Sequence, residues 1–217
     1  MDMDSIPSTI AGPAGRLEIA FDAADAPARP ALAIVCHPLP TEGGTMHNKV
    51  VTMTARALRE CGIACLRFNF RGVGASEGAF DDGRGELDDL RAVATWARQR
   101  LPDHALWLAG FSFGAWVSLR GAEELGAGAL ISIAPPVGRS WDFRAIALPR
   151  MPWLVIQGLA DEIVEAAAVR AWVASLPQPP VLVEMPDTGH FFHRKLMDLR
   201  GVLKNGIRDW LPPPVQA

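Results

Sequence analysis

The sequence predicts an α/β fold, with a mostly parallel sheet and helices on both faces, and three observations carry that prediction. Short apolar runs of strand length recur along the chain. Segments with apolar residues at helical spacing lie between them. The two patterns alternate almost strictly, which requires right-handed crossovers and therefore parallel pairing of most strands.

Taken in order, "RLEIAF" (16–21) alternates apolar and polar residues like an edge strand, and "ALAIVC" (31–36) reads as an interior strand covered on both faces. "NKVVTMTARALREC" follows with a helical pattern and stops at Cys61-Gly62. "IACLRFNF" (63–70) is a strand, and "GELDDLRAVATWARQRL" is a helix ending at Leu101-Pro102. "ALWLAGF" (105–111) is a strand that passes at once into the helix "FGAWVSLRGAEEL", which ends at Leu125-Gly126. "ALISIAP" (129–135) and "WLVIQG" (153–158) are interior strands, and "AAAVRAWVASL" is a helix stopped by Pro177. "VLVEMP" (181–186) is the last interior strand, followed by a helix from about Phe192 to Trp210. The Pro-rich end "LPPPVQA" cannot extend that helix, and residues 1–15 and 212–217 read as frayed tails.

Composition narrows the function classes. A chain of 217 residues, 49% hydrophobic and 21% charged, suits a single domain spanning 1–217. Its net charge of -3 is spread without a basic stripe, which argues against nucleic acid. The start "MDMDSIPSTIAGPAG" lacks a cationic and apolar leader, and no run reaches membrane-spanning length, so neither secretion nor a membrane is expected. Cys36, Cys61 and Cys65 read as small buried hydrophobes, reduced in a cytoplasmic protein, with no further ligand at metal spacing.

In an open parallel sheet, ligands bind beyond the carboxyl ends of the strands. The loops leaving those ends are "HPLPTEGGTMHNK", "RGVGASEGAFDDGRG", the turn at Ser112, "LADEIVE" and "DTGHFF". A serine, an acid and a histidine therefore leave different strands on one rim. "GFSFG" sits between a strand and a helix, and Gly110 and Gly114 flank Ser112 where side chains would collide in a tight turn. A helix N-cap is the ordinary use of such a serine, but a cap does not require glycine on both sides. "LADEIVE" offers Asp161, Glu162 and Glu165, any of which could cap the next helix. The histidines are His37, His47, His104, His190 and His193; His104 lies at the opposite end of the sheet from the rim.

The order Ser112, Asp161, His190 resembles the α/β-hydrolase superfamily, and the likeness runs from about Arg16 to Trp210. "GFSFG" with its helix looks like the nucleophile elbow of that superfamily. Asp161 matches its Gly-x-x-Asp pattern after Gly158, and "TGHFF" its histidine loop, with His193 held in reserve. The resemblance implies a serine nucleophile at Ser112, a base at His190 and an orienting acid at Asp161. It also implies an oxyanion hole made by the N–H of Phe113 and by one from the first loop. Pro38 has no N–H, so Leu39 is the expected donor there. "HPxPxxGGxMxNKV" is similar to a group of small, lidless bacterial hydrolases. Asn48 reads as the N-cap of the following helix, and His47 is left between pocket and solvent.

The resemblance thus implies a serine hydrolase for carboxylic esters or thioesters, acting on a small-molecule substrate through an acyl-enzyme, with no cofactor and no metal. Dienelactone hydrolases share the likeness but use cysteine where this chain has Ser112. The alternatives are a peptidase or acyltransferase on the same triad, or a non-catalytic ligand-binding protein of the same fold. "RGVGASEG" has its third glycine one place too late for a dinucleotide loop, and "FDDGRGELDDL" reads as a solvated, acid-rich helix start. In this superfamily a cap is commonly inserted after the strand that follows the nucleophile helix. Here that interval, 136–152, has 17 residues, enough for a turn or two of helix around Trp141, Phe143 and Ile146 but not for a packed cap. An open, shallow site for short or polar acyl groups is expected.

Overall fold

The computed structural model describes residues 6–25, 27–143 and 146–215. Its centre is an eight-stranded sheet in the order β1-β2-β4-β3-β5-β6-β7-β8. The strands are β1 (Thr9–Gly12), β2 (Gly15–Asp22), β3 (Ala31–Cys36), β4 (Ala64–Phe68), β5 (Ala105–Phe111), β6 (Ala129–Ile133), β7 (Trp153–Gly158) and β8 (Val181–Met185). The pairs β1–β2 and β2–β4 are antiparallel, and every pairing from β4 through β3, β5, β6 and β7 to β8 is parallel. The helices are α1 (Lys49–Glu60), α2 (Arg84–Arg100), α3 (Phe113–Ala122), α4 (Ala166–Ser175) and α5 (Leu196–Gly206).

Alternate side chains of each central strand face opposite layers, because strand side chains alternate across the pleat. In β3, Leu32, Ile34 and Cys36 join one core with Leu87 and Leu90 of α2, Val117 of α3 and Val169 of α4. Ala31, Ala33 and Val35 join the other with Val50 and Leu58 of α1 and Leu199 and Leu203 of α5. All six residues of β3 are buried, as are all six of β7, which is why the first run is wholly apolar and the second is broken only by Gln157. Truncating one of these side chains, Leu203→Ala for example, would cost about 2–5 kcal/mol. In α3, every residue but Arg120 is buried, so this helix is a core element rather than an amphipathic surface one.

Five expectations change. Residues Thr9–Gly12 are not frayed: they pair with β2, and buried Ile10 lies opposite buried Leu17. β2 is consequently an inner strand, and a four-residue strand carries too little periodicity to announce itself. At the other end, the Val215 N–H donates to the Ala28 carbonyl at 2.8 Å and the Arg29 guanidinium binds the Pro212 carbonyl, so 212–215 is tied down. Residues 1–5 and 216–217 of those two tails lie outside the described residues. β8 is an edge strand, with Val181 exposed and only Met185 buried. The acid-rich start of α2 is not solvated throughout: Glu86 and Asp89 are fully buried. Glu86 accepts the N–H groups of Gly83 and Asp81, and Asp89 pairs with Arg71 at 2.8 Å.

Candidate active site

The turn between β5 and α3 is built by close approach. Ser112 has φ 53° and ψ -120°, left-handed backbone that a residue with a Cβ adopts at a cost. A Cβ on Gly110 would lie 2.2 Å from the Gly114 carbonyl oxygen, and one on Gly114 would lie 2.4 Å from that of Cys36 and 2.5 Å from that of His37. Strand, helix and the end of β3 therefore meet with no room for a side chain. The Ser112 N–H is held by the Ile133 carbonyl at 2.8 Å. Ser112 occupies the N-cap position of α3, yet its side chain caps nothing. Its Oγ instead lies 3.0 Å from His190 Nε2.

His190 comes from the loop after β8 and Asp161 from the loop after β7. His190 Nδ1 lies 2.8 Å from Asp161 Oδ2, and the two side chains are 3% and 0% exposed. An ionised Asp161 makes Nδ1 the protonated nitrogen, which leaves Nε2 to accept the Ser112 hydroxyl. Asp161 Oδ1 accepts the N–H groups of Ile163 at 2.9 Å and Val164 at 2.7 Å. Gln157 Nε2 donates to Oδ2 at 2.9 Å. Burial pushes the Asp161 carboxyl up, but the bonds from His190, Val164 and Ile163 outweigh it and hold the group below its usual range. The serine, acid and histidine singled out from the sequence thus meet in one hydrogen-bonded chain.

The competing residues fall elsewhere. Glu165 is the N-cap residue of α4 but makes no side-chain cap bond. Glu162 supports the histidine loop, its carboxylate accepting the His190 backbone N–H at 3.1 Å. His193 is exposed, 6.0 Å from the Phe191 ring. It lies in a turn rather than in a helix, because Phe192 (φ 53°) and Arg194 (φ 59°) are left-handed and α5 starts only at Leu196. His47 is exposed, His104 half-buried just before β5, and Asn48 caps α1 through Oδ1, which accepts the Val50 N–H at 2.8 Å.

His37 is fully buried. Its Nδ1 donates to the Pro38 carbonyl at 2.7 Å and its Nε2 accepts the Phe70 N–H at 3.0 Å. Burial lowers its pKa to about 4, against the opposing pull of the Pro38 carbonyl. This neutral imidazole ties the chain leaving β3 to the chain leaving β4. Reasoning from sequence missed that tie and the contacts of Gln157 and Glu162. A glutamine inside the apolar run "WLVIQG" was the available signal for one of them.

Ser112 and His190 open into a cleft of about 520 Å³ whose walls include Leu39, Gly44, Trp141, Ile163 and Phe191. The described part of 136–152 forms no helix. Its aromatic side chains pack onto the body of the protein: Trp141 lies 5.3 Å from Phe113 and 5.8 Å from Trp116, and Phe143 lies 5.0 Å from Trp172 of α4. Residues spent on that packing cannot also build the core of a cap. Among the described residues, no cluster of three or more His, Cys, Asp or Glu side chains could hold a metal ion, and no helix is long and apolar enough to cross a membrane.

A strained serine at a strand-to-helix elbow, on the carboxyl rim of a sheet with this strand order, defines the α/β-hydrolase class. A sequence model of the alpha/beta hydrolase fold matches residues 34–135. A serine hydrolase without a lid from Xanthomonas campestris is 62% identical, with a TM-score of 0.92 and 94% of each chain covered. An alpha-beta serine hydrolase homologue from Coxiella burnetii is 43% identical, with a TM-score of 0.89 over 92% of this chain and 95% of that one. An uncharacterised protein of Rickettsia prowazekii is 36% identical over 211 residues, covering 92% of this chain and 86% of its own. The chain belongs to the α/β-hydrolase family, among its small serine hydrolases that lack a lid.

Proposed function

We propose that this protein hydrolyses carboxylic esters or thioesters of small molecules through an acyl-enzyme on Ser112, with His190 as base and Asp161 as its orienting acid. The observation that carries the reading is the chain from Ser112 Oγ through the His190 ring to Asp161, at 3.0 and 2.8 Å. Ser112 Oγ attacks the carbonyl carbon as its proton passes to His190 Nε2, and Asp161 stabilises the imidazolium. The carbonyl oxygen becomes an oxyanion held by the N–H groups of Phe113 and Leu39. Collapse expels the alcohol or thiol, which takes the proton from His190. Water, deprotonated by the same nitrogen, then releases the acid and restores the serine.

Phe113 is the first residue of α3, where N–H groups lack intrahelical partners and the helix carries partial positive charge. Leu39 is supported by a planar-peptide argument. The Pro38 carbonyl is held by His37 Nδ1, so the N–H across that trans peptide points the opposite way. Leu39 and Pro38 both border the cleft. On this proposal the chain is one hydrolase domain, working in the cytoplasm without a cofactor.

A short segment at 136–152 leaves the cleft open, and each CH2 left in water forgoes about 0.8 kcal/mol of binding. Short or polar acyl groups are therefore the expected substrates. Fluorophosphonate labelling with peptide mapping tests the mechanism: an adduct on Ser112 is expected, whereas no adduct anywhere points to a ligand-binding protein of the same fold. Rates across p-nitrophenyl esters from acetate to palmitate test the substrate class; kcat/KM should peak at short chains, and a steady rise to palmitate would refute the open-cleft reading.

A further inference from the structure

We propose that Gln157 is a positioning residue for the Asp161–His190 pair, its side-chain amide fixing the carboxylate oxygen that faces the imidazole; this rests on the triad reading above. Gln157 is the fifth residue of β7, fully buried between Ile156 and Gly158 in an otherwise apolar strand. Its Nε2 faces three acceptors: Asp161 Oδ2 at 2.9 Å, the Gly158 carbonyl at 3.2 Å and the Val164 carbonyl at 3.3 Å. A flipped amide would set oxygen against three oxygens, so the orientation is determined by the network. Its Oε1 is buried and has no hydrogen-bond partner.

An unpaired buried carbonyl is a cost that an aliphatic residue at this place would not carry. What the glutamine supplies in return is a donor on the oxygen that also takes the His190 Nδ1 proton, at 2.8 Å. The two backbone donors, Ile163 and Val164, hold only the other oxygen, Oδ1. Without Gln157 the carboxylate is pinned on one side, and Oδ2 is shared with nothing but the imidazole. The same amide also clamps the Val164 carbonyl, closing the loop that carries Asp161.

Two consequences follow from the shared oxygen. Loss of the amide leaves more of the negative charge on Oδ2 to stabilise the imidazolium that forms during the reaction. It also loosens the angle at which Asp161 presents Oδ2. The one ionisable side chain bonded to this pair among the described residues is Glu162, at the His190 backbone N–H; it and the neutral Ser112 hydroxyl at Nε2 both stay clear of Oδ2.

The experiment compares the pH dependence of p-nitrophenyl acetate hydrolysis in the unsubstituted protein, Gln157→Met and Gln157→Asn. Methionine keeps the shape without the donor. Asparagine keeps an amide near Gly158 but is one methylene too short for Asp161, and it serves if Gln157→Met folds poorly. In either folded variant the acid limb of kcat/KM should move up by about half a pH unit or more, with kcat down roughly tenfold and KM little changed. A lower melting temperature with an unmoved acid limb would assign Gln157 to stability alone and overturn the proposal. Failure of a fluorophosphonate to label Ser112 in the unsubstituted protein would instead remove the triad reading, and this inference with it.

Discussion

The elbow at Ser112 and the acid–histidine pair behind it are held by different forces. The elbow is steric: Gly110 and Gly114 sit where a Cβ would come within 2.5 Å of backbone oxygens. The pair is polar: Gln157, Glu162, Ile163 and Val164 aim donors and acceptors at Asp161 and His190 across the loops after β7 and β8. Steric closure constrains residue type at fixed local spacing, whereas a polar network can be assembled from residues that are distant in sequence. The first should fail abruptly when altered, and the second by degrees.

Removing the hydroxyl proposed to attack has the largest expected effect. Ser112→Ala should cut turnover of an aryl ester by roughly 10⁵-fold or more while circular dichroism stays unchanged. Asp161→Asn comes next, at roughly 10⁴-fold, since an amide favours the wrong imidazole tautomer while keeping the shape. Gly114→Ala tests the steric half. Its Cβ meets the Cys36 and His37 carbonyl oxygens at 2.4 and 2.5 Å, so urea unfolding should show a loss of about 3 kcal/mol, and an undiminished midpoint would mean that the elbow is softer than described. Glu162→Gln, at the outer edge of the polar network, should lower kcat only about threefold, because an amide oxygen can still accept the His190 N–H.

A further test lies in acid. His37 ties β3 to β4 as a neutral ring whose pKa is lowered from 6.5 to about 4. The unfolded chain binds that proton first, so stability is full above the unfolded value and falls with pH through this window, by up to about 3 kcal/mol. Denaturation midpoints measured from pH 7 to 4 should show this slope, and His37→Gln should flatten it.

The strands legible in the sequence are those covered on both faces: β3, β5 and β7 fall at the residues expected, because burial on two sides leaves runs that are apolar throughout or, in β7, broken only by Gln157. β1 was not legible, since four residues show no period, and edge strand β8 passed for an interior one because "VLVEMP" is apolar without being covered. The start of α5 was read too early: "HFFHRK" carries no glycine or proline to mark the left-handed turns at Phe192 and Arg194. At the site, Ser112 stood out by its glycines. Asp161 and His190 are singled out only through order and resemblance, since nothing local separates Asp161 from Glu162. The tie made by His37 and the buried amide of Gln157 depend on partners brought together only by the sheet, so only the folded chain displays them.

Acid-quenched mixing with p-nitrophenyl acetate tests most directly whether Ser112 carries the acyl group. Quenching during turnover and mapping the peptides should find one acetyl group on the peptide bearing Ser112, absent in Ser112→Ala. An acetyl group on any other residue as the turnover intermediate, or nitrophenolate release that continues unchanged in Ser112→Ala, would contradict it.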